Sequence, residues 1–197
     1  MADLITLATY KTAEGIQATK DDAKLELLIS SVSQLVKTYC NNTFIDHYSS
    51  AKTETFNIEY GENFIQLTES PIISVTSVSE RSSPTDGYTG LTVNTDYYVD
   101  TKTDSIYRVS GNCDKSFQSG RGAVTIVYTA GYNGAANIPG DLQLAIIDLI
   151  TYYHKDEHKA RQTIAGASVQ NQGSSSQRNN VAFPDHIKRV LDLYKNF

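Results

Sequence analysis

The stretch DAKLELLISSVSQLVKTYC, residues 22–40, sets the architecture predicted for this chain. Its apolar side chains recur at steps of three and four residues, which places them along one face of an α-helix. Asp21 or Asp22 is suited to cap the start of the helix, and Asn41 and Asn42 favour the left-handed conformation that ends one. The predicted apolar stripe consists of Leu25, Leu28, Ile29, Val32, Leu35, Val36 and Tyr39.

A second long helix is predicted after Ile138. Pro139 is favourable in a first helical turn, and Asp141 is favourable near the positive end of a helix. The segment is apolar over most of its helical circumference, which is typical of a central helix that touches more than one neighbour. We expect the two long helices to pack together, with a bundle core of Leu25, Leu28, Ile29, Val32, Val36, Leu142, Ala145, Ile146 and Leu149.

Between these helices the sequence pattern changes to a period of two. Residues 53–60 alternate, and later segments are rich in β-branched and aromatic residues. Polar loops are expected at 81–90 and 111–122. Parallel strands would require helical crossovers, and none is predicted here, so the sheet should be antiparallel. The predicted strands are 53–60, 64–67, 72–78, 91–93, 97–99, 106–109 and 123–129.

Two short helices are predicted near the ends of the chain. Thr6 is suited to cap a helix over 7–13, which Gly15 would end. Pro184 and Asp185 are suited to start the last helix, which is too short to be stable alone and must dock on a surface. Its candidate docking residues are Ile187, Arg189, Val190, Leu191, Tyr194 and Phe197.

The segment before that last helix has a biased composition. Residues 165–180 are rich in Ser, Gln and Asn and cannot bury enough apolar area to fold alone. The C-terminal stretch is also locally basic within an acidic chain, which fits either a solvated helix face or a tail that docks on an acidic partner. Its cations are Arg161, Arg178, Lys188, Arg189 and Lys195.

The predicted fold class is α+β. It consists of a small helical bundle with an inserted antiparallel β domain and an extended C-terminal arm that ends in a short helix. We place the first part of the bundle at 1–45, the β domain at 46–131, the central helix at 132–160 and the arm at 161–197.

Composition excludes several classes of function. The chain has 197 residues and a formal net charge of -5, which argues against a sequence-independent DNA clamp, because such proteins present clustered cations to phosphate. Cys40 and Cys113 are too few for a zinc site or a disulfide framework and are expected to be free thiols. Neither a signal peptide nor a membrane span is evident, so we expect a soluble protein made in the cytoplasm.

One motif suggests an enzyme. His154, Glu157 and His158 match the H-x-x-E-H pattern of inverted zinc peptidases, in which two histidines four residues apart share a helix face. That chemistry needs a third ligand further along the chain, where no Glu occurs. A charged helix end is therefore the favoured interpretation, with no metal, cofactor or catalytic residue expected. His47 and His186 are isolated, and Ser174, Ser175 and Ser176 have no base in register.

The order of short motifs resembles a known family. TLATYK at 6–11, DDAKLELLI at 21–29 and VKTYCNNTF at 36–44 are followed by SPIISV at 70–75, VYTAGY at 127–132 and IPGDL at 138–142. Together they resemble the head-tail connector proteins of tailed bacteriophages, also called adaptor or head-completion proteins. The similarity extends over about residues 6–160, and the tail after Arg161 is longer and more polar than in short members.

The resemblance implies a structural protein without catalytic activity. It implies a ring, usually dodecameric, that lies beneath the portal protein and links the capsid to a tail or stopper protein. DNA would pass through the lumen without specific binding, and the C-terminal arm would grip the portal. The expected location is the virion neck, after synthesis in the host bacterial cytoplasm. Two alternatives stay open at this point: another tail or baseplate structural protein, and the zinc-dependent hydrolase.

Overall fold

The computed structural model describes residues 2–155, 162–164, 167–169 and 183–195. Among these residues the chain forms two compact units. The helical unit combines the segment up to Asn42 with the segment from Gly134 to Lys195, and the β unit comprises 43–133. The predicted α+β class, with antiparallel sheets inserted between helices, is confirmed.

Among the described residues, four α-helices belong to the helical unit. They are α1 (Leu7–Glu14), α2 (Asp22–Cys40), α3 (Gly140–His154) and α4 (Asp185–Asp192), with a 3-10 turn at Ala135–Asn137.

The ends of the first two helices follow from local chemistry. The Thr6 hydroxyl oxygen accepts a hydrogen bond from the Thr9 N–H at 3.1 Å, which satisfies one of the N–H groups that a helix start leaves free. Gly15 ends α1 and Asn41 ends α2, and both lie in the left-handed region, with φ of 68° and 52°. The predicted caps at Thr6, Gly15 and Asn41 are confirmed.

Helices α2, α3 and α4 all contact one another. Leu144 is 60% exposed, so the apolar circumference of α3 is not completely covered within this chain. Of the predicted bundle core, Leu28 is half-buried. The other members are buried, namely Leu25, Ile29, Val32, Val36, Leu142, Ala145, Ile146 and Leu149.

The β unit contains eight strands in two antiparallel sheets. The first, called the β8 sheet, has the order β1-β8-β3-β4, and the second, called the β6 sheet, has the order β2-β6-β5 with β7 paired to β6. The strands are β1 (Lys52–Ile58), β2 (Phe64–Gln66), β3 (Ile72–Glu80), β4 (Thr89–Gly90), β5 (Tyr97–Asp100), β6 (Ser105–Ser110), β7 (Cys113–Asp114) and β8 (Gly120–Ala130).

One hydrophobic core joins the two sheets of the β unit. Val78, Val124 and Ile126 of the β8 sheet pack in the same buried cluster as Ile65 and Ile106 of the β6 sheet. The inner faces of the two sheets therefore face each other, and their outer faces lie on opposite sides of this core. The ends of the β unit are also close, because the Tyr132 N–H donates to the Phe44 carbonyl at 2.6 Å.

The structure corrects the prediction of a strand at 91–93. The Thr92 carbonyl accepts hydrogen bonds from the N–H groups of Thr95 and Asp96, and the Asp96 carboxylate accepts from the Thr92 N–H at 2.9 Å. These bonds form a local turn that competes with a sheet ladder. Conversely, the predicted loop 111–122 contains β7 and the start of β8.

A short antiparallel hairpin follows α3 within the described residues. It pairs β9 (Gln162–Ile164) with β10 (Ala167–Val169). The prediction was that residues 165–180 cannot fold alone, and β10 within them is indeed paired to a strand outside that segment. Backbone pairing with β9 supplies the hydrogen bonds that the composition gave no reason to expect.

Candidate assembly surfaces

The terminal helix α4 lies in a cradle formed by α2 and α3 of the same chain. Ile187 and Leu191 are buried there, one helical turn apart. Phe183 is also buried, and its ring meets Tyr39 of α2 edge to face at 5.0 Å. The short helix thus obtains from its own chain the apolar contacts that it needs for stability.

Polar contacts fix α4 near its C-terminal end. The Tyr39 hydroxyl donates to the Asp192 carboxylate at 2.5 Å, and the Tyr194 hydroxyl donates to the Asp141 carboxylate at 2.7 Å. Burial, and then the hydrogen bond to Asp192, raise the pKa of Tyr39 to about 12. The bond from Tyr194 lowers the pKa of Asp141. Both contacts are exposed at the surface, where each contributes little to stability.

A thiol lies directly beneath α4. Cys40 is fully buried, and its Sγ lies 3.6 Å from the Leu191 carbonyl oxygen as a hydrogen-bond donor. Burial, and then the charge of Asp192, raise the pKa of Cys40 to about 12. Cys113, by contrast, is exposed in the β unit. Both thiols are free, as the sequence predicted.

The predicted docking residues of the arm differ in how far the rest of the chain covers them. Ile187 and Leu191 are buried in the cradle of their own chain, and their role in docking on a partner stays a prediction. Val190 and Tyr194 are half-buried, and Arg189 is exposed. Phe197 lies outside the described residues. The exposed side of the helix also carries Lys188 and Leu193.

The outer face of the β6 sheet carries a row of aromatic side chains. Phe64 pairs across the ladder with Tyr107, and Tyr107 pairs with Tyr98. The Phe64 and Tyr107 rings stack with centroids 6.0 Å apart. Phe64 is 46% exposed and Tyr98 is 53% exposed. We call these three residues the aromatic row. Such an exposed group of rings is typical of a protein interface.

The outer face of the β8 sheet has a different composition. Ladder partners on this face are almost all Ser or Thr, and Thr55 meets Thr125 while Ser74 meets Thr129, with hydroxyl oxygens 3.3 Å and 2.9 Å apart. No charged side chain occupies these strand positions. We call this set the hydroxyl face; it consists of Thr53, Thr55, Ser74, Ser77, Ser79, Thr125, Val127 and Thr129.

A buried ion pair joins the two sheets. Arg108 of β6 is buried, and its Nη2 lies 3.0 Å from the Glu80 Oε1 of β3. Its Nη1 donates to the carbonyls of Asp96 and Val109 at 2.5 and 2.8 Å. The guanidinium therefore has partners on both sides, which is the condition under which a buried charge is tolerated.

A second polar cluster lies beside β1. The Lys52 ammonium contacts the Glu54 carboxylate at 2.6 Å and the Glu69 carboxylate at 2.9 Å, and the Thr68 hydroxyl donates to Glu54. Burial alone would raise the pKa of Glu54, but the hydrogen bonds from Lys52 and Thr68 outweigh burial and lower it. Glu69 also accepts from the Thr43 N–H at 2.8 Å, so the cluster anchors the start of the β unit.

The zinc motif is described only in part. His154 ends α3, and its Nδ1 is buried without a hydrogen-bond partner. Glu157 and His158 lie outside the described residues. Among the residues that the structure does describe, no group of His, Cys, Asp or Glu side chains is placed to hold a metal ion. No helix in the same part of the chain has the length and apolar character needed to cross a membrane.

Comparison with known proteins identifies the family. The sequence model of the family described as "Head completion protein" matches residues 3–197. The chain belongs to the head completion protein family. A curated relative, the "Head completion protein" of Escherichia phage T5, is 23% identical over 193 residues, which cover 98% of each chain. The family predicted from the sequence is confirmed, and with it the role of a structural head-to-tail adaptor.

Solved structures share the fold. A chain in the "Neck of empty GTA particle computed with C6 symmetry" has a TM-score of 0.59 and 14% identity, covering 98% of this chain and 90% of that one. A chain in the "Neck of native GTA particle computed with C12 symmetry" has a TM-score of 0.54 and 12% identity, covering 100% and 96%. At such identities the likeness shows the fold alone.

Sequence reasoning missed both outer faces of the β unit. The signal for the aromatic row was present, since Phe64, Tyr98 and Tyr107 all lie in predicted strands. The alternation of residues 53–60 likewise placed Thr53 and Thr55 on one side. What the sequence lacks is the register that aligns these residues across strands, because ladder pairing joins positions far apart in the chain.

Proposed function

We propose that this head completion protein forms a ring beneath the portal, links the capsid to the tail or to a stopper protein, and continues the DNA channel. Membership of the family carries the proposal. The two-unit architecture supports it, because an inserted β unit with exposed aromatic side chains offers surface for contacts beyond those made by the helices.

The ring is proposed to be a homo-oligomer, dodecameric as in the connectors that the sequence resembles. The related folds come from neck structures computed with sixfold and twelvefold symmetry, which supports a cyclic arrangement. The net charge of -5 per chain supports passage of DNA without binding, because an acidic lumen repels phosphate.

The C-terminal arm is proposed to bind the portal. Arg189 is exposed on α4 and is available for an acidic surface as the helix now lies. Contact through Ile187 and Leu191 requires α4 to leave its cradle, together with Val190, Tyr194 and the more distal Phe197. The surface hydrogen bonds of Tyr39 and Tyr194 would break in that step.

We also propose that the protein has no catalytic activity. His154 is the one described member of the zinc motif, and no cluster of metal-ligating side chains forms among the described residues. The test is zinc content by mass spectrometry in the full chain and in His154→Ala. Stoichiometric zinc in the full chain that is lost in the variant would overturn this part and favour the hydrolase.

The adaptor role is tested by negative-stain microscopy of the purified protein with and without the portal of its phage. A chain truncated after Arg161 is the matched comparison. We expect a ring stacked on the portal that is lost on truncation. Because truncation also removes the buried contacts of α4, the exposed substitution Arg189→Glu should weaken portal binding as well, and this second loss assigns portal binding to the arm. A monomer that ignores the portal but joins tail components would overturn the adaptor role in favour of another tail protein.

A further inference from the structure

A closed ring of identical copies makes specific demands on each copy. In cyclic assemblies of more than two subunits the contact is heterologous, so every copy needs two different surfaces, one for each neighbour. The inference below rests on the proposed ring and concerns which two surfaces meet.

The β unit presents two such surfaces on opposite sides of one core. Ile65 and Ile106 of the β6 sheet point into the same cluster as Val124 and Ile126 of the β8 sheet. The residues that alternate with them point outward. The aromatic row and the hydroxyl face are therefore directed away from each other, as the two sides of a ring subunit must be.

The aromatic row has the chemistry of an interface anchor. Its Tyr98 is half exposed, and tyrosine supplies apolar area and one hydroxyl with few rotatable bonds. The next ladder row is polar: Ser105 is buried and donates to Gln66, while the exposed Gln66 and the half-buried Asp100 on either side supply a rim. Asp100 accepts hydrogen bonds from the Lys102 N–H and the Thr103 hydroxyl, so its charge has partners within its own loop.

The hydroxyl face has the complementary chemistry. It is a sheet surface with many short side chains that both donate and accept hydrogen bonds, and with Val127 near its centre. Short side chains lose little conformational entropy when covered. Arg81 borders the end near Thr55, where its guanidinium donates to the Gly122 carbonyl and lies over the Tyr88 ring.

The net charge of the chain favours a second copy as the partner that binds these two faces. Each copy carries a formal charge of -5, so contact between copies must occur through surfaces that place no carboxylates together. The aromatic row and the strand positions of the hydroxyl face are both free of charged side chains. A cationic partner, in contrast, would be recognised by an acidic surface. We infer that the aromatic row of one copy packs on the hydroxyl face of the next copy around the ring.

Cross-linking in assembled particles tests this contact. In a Cys40→Ala and Cys113→Ser background, which removes both natural thiols, Tyr98→Cys places a thiol in the aromatic row and Thr125→Cys places one on the hydroxyl face. A short bis-maleimide is added to particles that carry the double variant. We expect a ladder of dimers, trimers and higher oligomers on a denaturing gel, and only monomers from either single variant.

The two ways to fail are distinguishable. If the protein is present in the neck as a ring but the double variant yields no ladder, these faces do not meet and the inference is overturned. If the particles lack the protein in the neck, the proposed function fails, and the inference fails with it.

Charge variants give an independent test. Tyr98→Glu or Thr125→Lys alone should lower ring assembly on the portal by roughly tenfold or more, because each leaves an unpaired charge in the contact. An equal mixture of the two variants should restore rings, since Glu meets Lys at every second contact. Thr19→Lys, an exposed site in the helical unit, is the control and should assemble normally. Full assembly of either single variant, or no recovery in the mixture, overturns the inference.

Discussion

At the scale of single residues, Gly131 occupies a position where the backbone conformation and a close neighbour both favour glycine. It follows β8 with φ of 98°, a conformation that favours glycine. A Cβ atom there would lie 2.2 Å from the Phe44 carbonyl oxygen, which itself accepts the Tyr132 N–H. The sequence indicated that this glycine ends a strand. It gave no sign of the second backbone segment that passes beside it.

Gly131→Ala should therefore be strongly destabilising. Backbone strain and the clash with Phe44 together should cost about 2–4 kcal/mol of the free energy of unfolding. Gly15→Ala is the matched control, since its φ of 68° is also positive but lies in the ordinary left-handed region, and no atom lies within 4 Å of the added methyl group. It should cost about 1 kcal/mol. Urea unfolding measures both, and equal losses would contradict the role of the close approach.

The lowered pKa of Glu54 predicts that the β unit loses stability in acid. The pKa of Glu54 is lowered in the folded state, because the bonds from Lys52 and Thr68 outweigh burial. A lowered pKa contributes stability that is present above the ordinary value of about 4.3 and is lost as the pH falls below it. Unfolding measured from pH 7 down to pH 3 should therefore show a steeper loss for the natural chain than for Glu54→Gln. Parallel curves would show that other groups control the acid limb.

At the scale of elements, the sequence predicted features that depend on nearby residues better than features that depend on contacts between distant parts of the chain. The stripe of α2 and the caps at Thr6 and Asn41 depend on neighbours within one or two turns, so they could be read from the sequence. The docking of α4 could not be predicted from the sequence in this way. A short amphipathic helix needs an apolar partner surface, and nothing in its own residues distinguishes the cradle of its own chain from a partner protein.

Cys40 reports whether α4 is docked. The thiolate is the reactive form, and burial raises the pKa of Cys40 to about 12, so labelling should be slow while Leu191 covers it. In a Cys113→Ser chain, Leu191→Ala should weaken docking by about 2 kcal/mol or more and speed labelling roughly 30-fold. Leu193→Ala, which alters a side chain 78% exposed on the same turn, should leave the rate unchanged.

The same labelling follows the arm on the portal. If portal binding uses Ile187 and Leu191, α4 leaves its cradle and Cys40 should label faster in the complex. If binding uses only the exposed side that carries Arg189, the rate should stay as slow as in the free protein. The comparison separates the two modes without altering the helix.

At the scale of the whole molecule, charge should make assembly dependent on salt. Copies with a formal charge of -5 repel one another, and salt screens this repulsion over a Debye length of about 8–10 Å at physiological ionic strength. Ring formation through uncharged faces should therefore increase as salt is raised from about 0.05 M to 0.5 M, measured by sedimentation velocity in the presence of portal. A decrease would show that ion pairs dominate the contacts within the ring or with the portal.

The hydrogen bond between Tyr132 and Phe44 has a consequence for how such proteins diversify. The chain leaves the helices and comes back to them at almost the same point, since these two residues begin and end the β unit at bonding distance. An insert with adjoining ends can be lengthened, shortened or exchanged without changing the path of the helices. The β unit can thus be replaced, in evolution or by protein engineering, while the helices are retained.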